Sequence, residues 1–134
     1  MLIAAFLILG CAVLLGSALA VLYLLASTAT PASAPVSWRV SWPVSWPVAA
    51  LHGLVGIGGL ICLALALRGP PRGIAEGTAS FGAIAATLFA LAALAGGGLL
   101  AMRLRKRRPG ALIGVHAALA VSGFVILAAY LLVG

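Results

Sequence analysis

Apolar residues fill four long stretches of the chain, at about 1–26, 48–67, 78–102 and 109–133, and no charged residue interrupts any of them. A helix needs roughly 20 apolar residues to cross a bilayer, so each stretch predicts one crossing. The polar residues gather in the three connections between them. Ser27 to Pro35 is rich in Ser, Thr, Ala and Pro, which breaks a helix. Ser37-Trp38, Ser41-Trp42 and Ser45-Trp46 then repeat at a spacing of four, with Pro43 and Pro47 set among them. Those prolines argue against a regular helix, and tryptophan favours the membrane boundary, so 27–47 is read as an interfacial loop. Pro47 and Pro109 suit the first turns of the second and fourth helices. Glu76, just before the third, suits the positive end of its dipole. The expected fold is all-α: an integral membrane four-helix bundle running up-down-up-down, a single transmembrane domain over 1–134.

Composition agrees with the pattern. At 65% hydrophobic and 7% charged residues the chain departs far from a soluble globular domain. The first stretch has no basic flank and continues well past Cys11, so it is read as a retained helix and not as a cleaved leader. Eight Lys or Arg residues against one acid give a formal charge of +7, which in a membrane protein reports orientation before nucleic-acid binding. Loops one and three carry Arg39, Arg103, Arg105, Lys106, Arg107 and Arg108; loop two carries Arg68 and Arg72. The expected location is a bacterial inner membrane, with the basic 103–108 turn cytoplasmic and both termini outside.

Few chemistries survive this composition. No acid lies inside a span, which disfavours a small multidrug-type antiporter. Cys11 and Cys62 stand singly with no CxxC or CxxCH pattern, and there is no Asp for a Ser-His-Asp set. No catalytic residue is assigned. What remains is a pair of histidines, His52 and His116, the only two in the chain. A shift of 64 carries His52 onto His116, Gly56 onto Ala120, Gly59 onto Gly123 and Leu63 onto Leu127. The second and fourth helices therefore look like copies, as in a duplicated hairpin with an axis along the membrane normal.

Both helices enter from the basic side, and at about 1.5 Å per residue both imidazoles lie one and a half to two turns below the same interface. Gly56 and Gly59 follow His52 on its own face, as Ala120 and Gly123 follow His116. Gly96-Gly97-Gly98 reaches the same depth from the third helix, and consecutive glycines in a membrane helix mark a close approach. Room beside two imidazoles suits a bulky planar ligand. A six-coordinate haem iron takes two such ligands, and the nearby Arg39 and Arg103 could pair with its propionates.

The pattern His-x3-small-x2-Gly, above all His116-Ala-Ala-Leu-Ala-Val-Ser-Gly123-Phe-Val-Ile-Leu-Ala-Ala-Tyr130, resembles the haem-bearing helices of small membrane b-type cytochromes. It is similar to cytochrome b561 proteins and to one half of a haem A synthase, whose four-helix halves use histidines from their second and fourth helices. The resemblance implies haem b held by His52 and His116 as metal ligands, with Gly56, Gly59, Ala120, Gly123, Gly97, Arg39 and Arg103 around it. It also implies electron exchange with quinone or with another membrane or redox subunit. The chain lacks the additional histidines of two-haem relatives and the acidic motif of haem oxidation, so a single haem and no oxidation of it are expected. Beside this stands a bland alternative: a structural or accessory subunit of a larger complex, its histidines bonded to one another, to Ser122 or Thr87, or to backbone carbonyls. A small-solute channel is a more distant third.

Overall fold

A computed structural model describes residues 1–29, 46–70, 72–107 and 110–133. Four α-helices account for most of them: α1 (Leu2–Ala29), α2 (Trp46–Ala66), α3 (Phe81–Leu104) and α4 (Leu112–Val133). All four are long and apolar enough to cross a membrane, and no strand occurs among the described residues. The protein is an all-α transmembrane four-helix bundle.

The helix ends differ from expectation by a few residues, and the backbone explains most of the differences. α1 runs on to Ala29, since Ser27 and Thr28 do not break a helix as a proline does, and the first proline is Pro31. α2 takes in Trp46 and Pro47, so these two leave the loop expected at 27–47; its remaining repeat lies outside the described residues. α3 starts at Phe81 and not at Thr78, because a turn intervenes: the Thr78 amide donates to Gly73 O at 2.8 Å, with Gly73 and Gly77 at φ +67° and +70°. Only glycine adopts those angles without strain. Glu76 sits exposed in this turn, outside the first turn of α3, and is further from the helix dipole than expected. α4 starts at Leu112 and not at 109, since Gly110 has φ +48° and cannot continue a right-handed helix.

α1 packs chiefly on α2, and α3 on α4, as two hairpins. The hairpins meet through α1 with α4 and α2 with α3. The bundle is thus a ring in chain order, with α2 and α4 facing each other across one diagonal. At the end opposite the basic turn a core layer closes the bundle: Ala5, Leu9, Leu63, Ala85, Phe89, Leu127 and Tyr130 are all buried. Phe6 stacks on Phe124 at its rim, centroids 4.9 Å apart. Most other large apolar side chains point outward, as lipid-facing residues of a bundle must.

Buried positions repeat between the hairpins, with one shift for each pair of equivalent helices. A shift of 64 carries buried Gly59 and Leu63 of α2 onto buried Gly123 and Leu127 of α4. A different shift, 80, carries Ala5, Leu9 and Ala12 of α1 onto Ala85, Phe89 and Ala92 of α3. The shifts differ because the connection between α1 and α2 is longer than that between α3 and α4, and because α1 and α2 themselves extend further toward it. Leu9 fills the space above Gly59, and Phe89 fills the equivalent space above Gly123.

Candidate functional site

The histidine layer lies on the basic side of this core. His52 is in the second turn of α2 and His116 in the second turn of α4. Both rings turn inward across the α2–α4 diagonal until their centroids are 5.9 Å apart, with the planes 82° to each other. Each is half-buried.

Neither ring bonds to the other. His52 Nδ1 donates to Ala12 O of α1 at 3.0 Å, and His116 Nδ1 donates to Ala92 O of α3 at 2.8 Å. A carbonyl oxygen can only accept, so both Nδ1 atoms carry the proton. When a ring held this way is neutral, Nε2 is its basic nitrogen, as in most metal-bound histidines, where one ring nitrogen is oriented by a carbonyl and the other ligates. The two bonds are equivalent under the repeat that relates the cores: Ala12 maps onto Ala92 as His52 maps onto His116.

The rings meet small residues of the flanking helices. Ala12 and Ala92 are buried, and Gly16 and Gly96 lie against the Cε1 edges of His52 and His116. α1 and α3 form the other diagonal and share no extended packed interface. No family model, curated protein or solved structure matches this chain. The chemistry therefore has to be argued from the site itself.

The remaining candidates fall at varied distances from the pair. Gly59 and Gly123 take the side chains of Leu9 and Phe89, so their smallness serves the packing of each hairpin in the core layer. A Cβ added to Gly56 would meet the Cβ of Ala12 at 4.0 Å, an ordinary contact with α1. Ala120 is partly buried one turn below His116. Gly97 is exposed and an added Cβ there would meet nothing within 4 Å; its neighbour Gly96 is the glycine of that run in contact with His116. Arg103 ends α3 with its guanidinium 5.9 Å from the centre of the Trp46 ring, a cation–π contact joining α3 to the start of α2. It lies seven residues beyond Gly96, about 10 Å toward the basic end. Arg39 lies outside the described residues. Thr87 bonds within its own helix, to Ala83 O, and takes no part in the site. Cys11 is exposed and Cys62 partly buried; both are free thiols. Among the described residues no group of three or more His, Cys, Asp or Glu could hold a metal ion, so a metal at this layer would have two protein ligands.

Sequence reasoning missed Ala12, Gly16 and Ala92. The available signal was the matching Ala-x3-Gly at 12–16 and 92–96. It is weak in a chain so rich in both residues.

Proposed function

We propose that the chain is a one-haem membrane cytochrome of the b type, with His52 and His116 as the axial ligands. One observation carries the reading: two imidazoles, each with its Nδ1 proton engaged by a carbonyl, stand between α2 and α4 with centroids 5.9 Å apart. His52 and His116 would hold the metal through the Nε2 of each ring. The small residues Ala12, Gly16, Ala92 and Gly96 on the other diagonal bring the backbones of α1 and α3 against the pair, so a planar ligand between α2 and α4 would need these two helices to move apart.

When bound, the haem would supply one-electron redox chemistry at its iron. The chain's own residues hold and shield it. The imidazoles would hold it, the core layer of Leu9, Leu63, Phe89 and Leu127 would exclude water on one side, and Arg103 would supply positive charge toward the basic end. A single centre near one face does not connect the two sides of a membrane. A quinone or a second redox subunit is therefore part of the reading, and the basic turn faces the cytoplasm by the positive-inside tendency.

A second reading, a structural subunit of a larger complex, is favoured by the 82° edge-to-face meeting of the rings, which packs well without a ligand. Absorption spectra of single variants separate the two. His52→Ala and His116→Ala are each expected to abolish or shift the low-spin spectrum of the haem-loaded chain. An unchanged spectrum in either variant excludes that residue as a ligand.

A further inference from the structure

A carbonyl inside a helix already accepts the amide four residues ahead, and neighbouring side chains normally crowd its second lone pair. Two such carbonyls nevertheless receive a histidine here, Ala12 O and Ala92 O. In both cases the residue four positions on, the one that covers the carbonyl, is glycine. A Cβ on Gly16 would lie 2.8 Å from His52 Cε1 and 3.4 Å from both its Nδ1 and its Nε2. On Gly96 it would lie 3.2 Å from His116 Cε1 and 3.4 Å from its Nδ1. Real Cβ atoms do not approach a neighbour as closely as the first of these, and the second forces a small retreat. Other glycines near this layer lack such a contact: a Cβ on Gly53 beside His52, or on Gly114 beside His116, would meet nothing within 4 Å.

We propose that Gly16 and Gly96 are positioning residues, which open the carbonyls of Ala12 and Ala92 so that His52 and His116 are both fixed as Nδ1–H tautomers with Nε2 as the basic nitrogen. A side chain at either position pushes the facing ring off its carbonyl. The ring is then free to turn or to place its proton on Nε2, which removes the lone pair that a metal would use. The inference deepens the haem reading, since it names what holds the axial ligands, but the tautomers exist whether or not haem binds. The distances also grade the two positions: Gly16 is the tighter contact and should tolerate alanine less well than Gly96.

The test is nitrogen NMR on the full chain in phospholipid bilayers, labelled with 15N-histidine and prepared without added haem. The rings are assigned by His52→Gln and His116→Gln. Both wild-type rings are expected to be neutral Nδ1–H tautomers. Gly16→Ala should abolish that signature for His52 while sparing His116, and Gly96→Ala should weaken it for His116 while sparing His52. Gly53→Ala and Gly114→Ala should change neither. Retention of Nδ1–H at His52 in Gly16→Ala overturns the inference. So does an Nε2–H tautomer in the wild type, a result that stands even if an alanine variant fails to fold. A chain that shows both Nδ1–H signatures but never binds haem sinks the cytochrome reading and supports the positioning role. A chain with a normal low-spin spectrum and Nε2–H rings before loading does the reverse.

Discussion

Leu63 and Leu127 are fully buried and hold equivalent places in the two hairpins. In a bilayer, truncating such a residue forfeits little transfer energy, because lipid is as apolar as the core; what is lost is packing, and a cavity remains. Leu127→Ala is therefore expected to destabilise the bundle by roughly 1–3 kcal/mol, below the usual cost in a soluble core, when unfolding is followed in mixed micelles. Leu94→Ala, at a residue 73% exposed to the lipid side, should change stability by about 0.5 kcal/mol or less in the same assay. Equal losses at both positions would mean that the core layer is misplaced. At this scale the sequence revealed the histidines readily, since a lone polar residue at matched depth in two similar helices stands out. Their partners stayed hidden because a carbonyl belongs to every residue and leaves no mark in the sequence. The glycines beside the histidines were visible, but the faces they serve were not: Gly59 and Gly123 admit Leu9 and Phe89, while Gly16 and Gly96 admit the rings.

At the level of elements, close approach within each hairpin depends on which glycines lie in the seam. Gly59→Ala would bring a Cβ to 2.8 Å from Leu9, itself fully buried, and is expected to cost about 1–3 kcal/mol; Gly123→Ala, at 3.3 Å from Leu88 and Phe89, should cost less. A reversed order in the same unfolding assay would contradict the packing described. The end of α3 offers a gain instead of a loss. Lys106 has φ +52°, and the bonds Lys106 N–H to Arg103 O and Arg107 N–H to Met102 O close the helix in a Schellman motif. Glycine suits that position better than lysine, so Lys106→Gly should stabilise by roughly 1 kcal/mol, and a loss of stability would mean that the lysine makes a compensating contact. The helices themselves were legible because an uncharged run of about 20 residues has few alternatives. Their ends were less so, since the φ values of Gly77 and Gly110 that delay α3 and α4 follow from turn geometry and not from hydropathy.

For the whole molecule, the four-helix arrangement was visible in the charge-free runs, and the likeness of α2 to α4 in their 64-residue echo. The matching 80-residue echo of α1 in α3 was obscured by low sequence complexity, and emerges only because burial picks out Ala5, Leu9 and Ala12 beside Ala85, Phe89 and Ala92. The orientation expected from the placement of positive charge can be tested directly. With Cys11 and Cys62 replaced by alanine, Gly69→Cys should react with an impermeant maleimide on intact cells while Arg105→Cys stays protected; the opposite pattern would invert the topology. The histidine pair has a more direct test in the absorption spectrum of the purified full-length chain after expression with ample haem. The expected result is a Soret band with the low-spin spectrum of a single bis-imidazole haem, stoichiometric with the chain. A colourless protein from the same cells would contradict the assignment of His52 and His116 as its ligands.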